Sequence, residues 1–140
     1  MFSWGESSKT TLGQQARQNI ALYQERKQKY LGKILKSLIT TVETEVLYQA
    51  SIGCKETTVG IDQQEKQFPE HNIGTEERPK IYKFTDKNRK WFLDELETHF
   101  TNKEKYPDIE CRQFIRGYGS PKFCINVQIL EEKEPEKVEA

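Results

Sequence analysis

From Leu31 onward the apolar residues Leu31, Ile34, Leu35, Leu38, Val42 and Val46 recur at three and four positions, up to Ala50. At about 100° per residue that spacing lines one face of a helix. Upstream, Thr11-Leu12-Gly13-Gln14 has the residues of a capping box, in which a Thr hydroxyl and a Gln side chain satisfy the first free amides. The pattern predicts one long helix, bent or split near Gly32, where glycine costs about 1 kcal/mol relative to Ala. After Gly53 the period becomes two. Thr57, Val59 and Ile61 alternate with Glu56 and Thr58, as in a half-buried antiparallel strand. Gly53 suits the junction because it can take the left-handed backbone that ends a helix.

Residues 62–79, DQQEKQFPEHNIGTEERP, hold two prolines, a glycine and seven charges, with only Phe68 and Ile73 apolar. Such a stretch buries too little to fold by itself and reads as a long exposed loop, a contact surface or a mobile one. Ile81 to Phe84 is extended, and Thr85 can cap a second helix whose buried face is Phe92, Leu93, Leu96 and Phe100. Trp91 lies beside that face, sealing the core edge or standing at a contact. Two alternating runs then flank Gly117-Tyr118-Gly119-Ser120-Pro121, which is turn chemistry, and so form a β-hairpin. Phe123, Ile125, Val127 and Ile129 share one of its faces, matched by Ile109, Cys111 and Ile115. Cys124 points away from them, which argues against a bond to Cys111.

The order of elements predicts an α+β fold: a long N-terminal helix, a small antiparallel sheet with a C-terminal hairpin, and a second helix packed on one face. A length of 140 residues fits one domain over 11–130, with a flexible segment at 1–10 and a disordered acidic tail at 131–140. Apolar residues are 34% and charged residues 31%, so the core is modest and much of the chain is solvated.

Lys plus Arg equals Asp plus Glu at 22 each, which favours neither a polyanion nor a polycation as partner. The charges are unevenly placed, however. Residues 1–37 carry seven basic and two acidic side chains, residues 41–70 two and six, and the last ten two and five. Three cysteines without a C-x-x-C pair indicate reduced thiols rather than a disulfide framework or a zinc ribbon. No apolar run suits a signal sequence or a bilayer span, so no membrane insertion and an intracellular location, host cytoplasm or virus particle, are expected.

Catalysis needs positioned groups, and the two histidines, His71 and His99, have no partner by spacing. Cys54 beside Lys55 reads as a structural thiol at a helix exit rather than a nucleophile. Phosphate loops, paired metal ligands and nucleophile elbows are missing from the sequence; the expectation is no enzyme, no metal and no cofactor. Arg26, Lys29, Lys33 and Lys36 stack along one helical stripe that could track phosphates, or be the wet side of an amphipathic helix. Arg112, Arg116 and Lys122 around Tyr118 pose the same choice between a stacking platform and an ordinary hairpin tip. Phe2 and Trp4, ahead of the first helix, form a hook suited to docking. The reading this supports is a structural or protein-interaction protein, in a larger assembly or self-associated, with nucleic-acid binding through the basic helix face as the alternative.

A helix ending YQASIG, a strand, a loop, a helix closing near LETHF and a hairpin ending FCINVQI resemble a small α+β layout of uncharacterised proteins from large DNA viruses and bacteriophages. The resemblance covers about residues 30 to 130. It implies a virus-encoded accessory or virion-associated protein without catalytic residues.

Overall fold

The computed structural model describes residues 10–117 and 122–131. Helix α1 is Leu12–Ser51, strand β1 Glu56–Gly60, helix α2 Ile61–Gln64, with a 3₁₀ turn over Glu65–Gln67. Helix α3 is Asp86–Phe100, and strands β2, Ile109–Arg116, and β3, Lys122–Ile129, complete the chain. The α+β class and the order of long helix, strand, capped helix and hairpin match the expectation; α2 and the 3₁₀ turn are additional. Phe2 and Trp4, Tyr118, and all of the acidic tail beyond Glu131 lie outside the described residues.

Local sequence sets the helix ends. The Thr11 hydroxyl accepts from the Gln14 amide at 3.1 Å and the Gln14 side chain accepts from the Thr11 amide at 2.9 Å, completing the capping box. At the other end Gly53 has φ 87°; its amide donates to Ala50 O at 3.0 Å and that of Cys54 to Gln49 O at 2.8 Å. That pair of bonds closes a helix in a left-handed turn. Gly32 does not split α1, which is one continuous helix through it. Thr85 caps α3 by accepting from the Asn88 amide at 3.2 Å.

Contacts cluster into two compact units, one of residues 10–34 with Glu70–Lys83, the other of Leu35–Pro69 with residues 84–131. In the first, Leu31, Ile34, Ile73 and Tyr82 are buried. Its loop segment, exposed over residues 70–81 except at Ile73 and Gly74, is tied together by short-range bonds. Asn72 bridges Ile81, the Ile73 amide donates to Lys80 O at 2.8 Å, and the Tyr82 amide to His71 O at 2.9 Å. The Asn72 side chain is its hub, with Oδ1 accepting from the amides of Gly74 and Lys80, both at 2.8 Å. Gly74 is required here, since a Cβ would stand 2.4 Å from Arg78 O. Polar side chains can thus fold a segment that apolar content alone cannot.

In the second unit the sheet order is β1-β3-β2, all antiparallel. Thr57 and Val59 pair with Val127 and Ile125, and Cys111 and Ile115 with Val127 and Phe123, so these side chains share the face on which α3 packs. Phe92, Leu93, Leu96 and Phe100 of α3 are fully buried, as are Leu38 and Val42 of α1. Trp91 is half-buried, edge-on to Phe92 at 5.1 Å. The strand reading of Ile61 is corrected: β1 stops at Gly60, and Ile61, 1% exposed, opens α2. The reason is Asp62, whose Oδ1 accepts from the Phe123 amide at 3.0 Å and turns the chain across the end of β3. Residues 62–67 are therefore helical rather than loop. Arg89 of α3 then holds this turn by a fork onto Glu65, at 2.6 and 2.9 Å, and reaches Asp86 at 2.7 Å.

Candidate functional site

Three surfaces place functional groups together. The first belongs to the unit of residues 10–34 and Glu70–Lys83. Arg26 Nε donates to Ile73 O at 3.0 Å, so this member of the predicted basic stripe anchors the loop. Tyr30 stacks on His71, with centroids 4.0 Å apart, and Lys80 lies over Tyr23 at 4.9 Å. Lys29 and Lys33 are exposed, as is Lys36 in the other unit. Upstream, every residue from 11 to 22 is exposed, including Leu12 at 83%, Ile20 at 59% and Leu22 at 48%. Leu12, Ala16, Ile20 and Tyr23, spaced by four, four and three, fall on one side of the helix.

The second surface is an apolar groove of about 180 Å³ in the other unit, lined by Val46, Leu47, Phe100, Ile109 and Val127. Its polar wall is a chain of hydrogen bonds. Tyr106 Oη donates to Glu43 Oε2 at 3.0 Å and lies 3.1 Å from His99 Nε2. Because the Tyr106 proton points to Glu43, the arrangement requires His99 Nε2–H as donor to Tyr106. Burial first, then Glu43, pushes the Tyr106 hydroxyl up to about 12. Burial and the Lys105 charge lower His99, with Glu43 opposing. A phenol so raised is a poor proton donor at neutral pH, and the chain of bonds acts as a latch between α1 and α3. Sequence spacing missed it: Glu43 and Tyr106 are 63 residues apart.

The third surface is the sheet face turned away from α3. Register puts Arg112 beside Asn126 and Thr58, Phe114 beside Cys124 and Gly60, and Arg116 beside Lys122. Arg116 stands over the Phe114 ring at 5.9 Å. Asn126, 3% exposed, donates through Nδ2 to Glu56 at 2.7 Å and Thr58 at 3.0 Å, while its Oδ1 has no partner among the described residues. A depression of about 260 Å³ borders it, with Lys103, Glu110, Arg112 and Gln128 in its walls. The hairpin pairing of Arg112, Arg116 and Lys122 was legible in the sequence; the Asn126 acceptor and the role of Phe114 were not.

The cysteines are free thiols. Cys111 is pushed up to about 12 by burial and Glu97, and burial also raises Cys124, so neither is a thiolate at neutral pH. Among the described residues no cluster of His, Cys, Asp and Glu could hold a metal ion, and no helix is long and apolar enough to cross a membrane. Compared with known proteins, the chain matches no family model, no curated protein and no solved structure.

Proposed function

We propose that the protein is a non-catalytic interaction protein, a component of a larger assembly, that offers the first three turns of α1 to a partner. The observation behind this reading is the exposure of residues 11–22 with Leu12 and Ile20, on one side of the helix, among them. Helices in proteins draw most of their stability from packing an apolar face, and among the described residues these turns bury no apolar side chain. Burying these two side chains would supply about 1.5–3 kcal/mol each. Charge selects the partner. The docking turns carry one charge, Arg17, and the turns that continue them add Arg26, Lys27, Lys29 and Lys33 against Glu25. A second copy would bring like charge to the same seam, so the partner is a different protein whose amphipathic helix has acidic flanks.

A photo-cross-linking residue at position 20, with position 18 on the opposite face as control, tests the proposal. Position 20 should cross-link to one such protein, position 18 should not, and Leu12→Ser with Ala16→Glu should abolish the product. The two substitutions alter exposed sites and should change stability by less than about 0.5 kcal/mol. Equal yields from both positions, or a product made only of this chain, would contradict it.

A further inference from the structure

The open face of the sheet has a chemistry that the interaction reading does not use and on which it does not depend. Along β2, alternate residues share a face, so Arg112, Phe114 and Arg116 form a row of cation, ring, cation, with Lys122 beside Arg116. Strand geometry puts about 6.8 Å between neighbours in that row. Arg112, Arg116 and Lys122 are exposed, and among the described residues none lies within ion-pair distance of a carboxylate. Phe114 is half-buried with Arg116 over its ring, and Gly60, two strands across, adds no side chain there.

Beside the row, Asn126 has spent both amide hydrogens on Glu56 and Thr58, which fixes its orientation and leaves a bare carbonyl oxygen. A buried acceptor without a donor is unfavourable and asks for one. Arg112, its neighbour across the ladder, is a long exposed side chain that can swing aside to admit it.

We propose that this face binds a single-stranded polynucleotide. Phosphates would lie on Arg112, Arg116 and Lys122, a base would take the place of the guanidinium over Phe114 as Arg116 moves to a phosphate, and a base N–H would meet Asn126 Oδ1. Three demands are joined here: anionic groups, a flat ring and a polar hydrogen on that ring. An acidic peptide meets the first, and a paired duplex keeps its rings stacked on one another. Glu56 and Glu110 occupy the other end of the face and repel phosphate, so the strand sits toward the Arg116 and Lys122 end. The basic stripe of Lys29, Lys33 and Lys36 has no such ring or acceptor and serves as the internal control.

Fluorescence anisotropy with a labelled oligothymidylate of about twelve nucleotides tests the proposal, since thymine carries a ring N–H. Three cations on a single strand predict a log–log salt slope of about −2. Arg112→Gln, Arg116→Gln and Lys122→Gln together should bring the slope near zero, with at least a tenfold loss of affinity at low salt. Phe114→Leu, which keeps an apolar side chain, should weaken binding about tenfold without changing the slope. Lys29→Gln, Lys33→Gln and Lys36→Gln together should change neither. A base-free phosphodiester of equal length should bind about tenfold more weakly. No binding at low salt, equal binding of the base-free strand or of polyglutamate, or loss in the helix variant instead of the sheet variant would each overturn the proposal.

Discussion

His99, Tyr106 and Glu43 show how a single proton position ties side chains from distant parts of the chain. The His99 imidazole titrates below its ordinary 6.5 because burial and Lys105 disfavour the cation more than Glu43 supports it. The unfolded chain therefore takes up this proton first, and the stability from neutral His99 is present above pH 6.5 and lost as pH falls through the lowered folded value. Tyr106 works at the other extreme: its contribution is complete below pH 10 and lost as pH rises toward about 12. Urea unfolding should show a midpoint that falls as pH drops below 6.5, and His99→Gln should flatten that part of the profile. An unchanged slope in the variant would place the acid sensitivity elsewhere. None of this could be read from spacing, because a hydrogen bond across 63 residues leaves no local pattern. The caps at Thr11, Gly53 and Thr85 were legible for the opposite reason: donor and acceptor lie within five residues.

Elements whose apolar period repeats for two turns or more could be read directly. The buried faces of α1 and α3 and the pairing of Phe123, Ile125 and Val127 are those the sequence pattern predicts. Helix α2 was not legible, because Ile61 continues the alternation of β1 and only the bond from Asp62 to the Phe123 amide turns it into a helix start. The Arg89 fork then fixes the turn that follows. Partly buried and two-pronged, it is stronger than a surface pair but weaker than one removed from water, so Arg89→Ala should cost about 2 kcal/mol. A loss below about 0.5 kcal/mol in chemical denaturation would mean that the turn is held by Ile61 and Phe68 instead. The hairpin-like turn of residues 71–82 escaped the sequence reading because its cohesion comes from Asn72 and from the rings of Tyr30 and His71, not from aliphatic content.

At the scale of the molecule, composition set the right limits: a modest core and a large charged exterior. The sheet and the helices packed on it enclose a well-buried core, with Phe92, Leu93 and Ile125 at 0% exposure. The first three turns of α1 are different in kind, since every residue from 11 to 22 is exposed and only Asn19 and Leu22 border the loop at Gly74 to Lys80. Such turns open readily in isolation and close when an apolar partner arrives. Amide hydrogen exchange over residues 16–23 measures this directly. The isolated protein should show almost no protection there, while residues 38–46 exchange slowly, and the protein purified with its natural partner should gain about a hundredfold protection over 16–23 alone. If those amides exchange equally fast in the complex, the first turns of α1 are not where the partner binds.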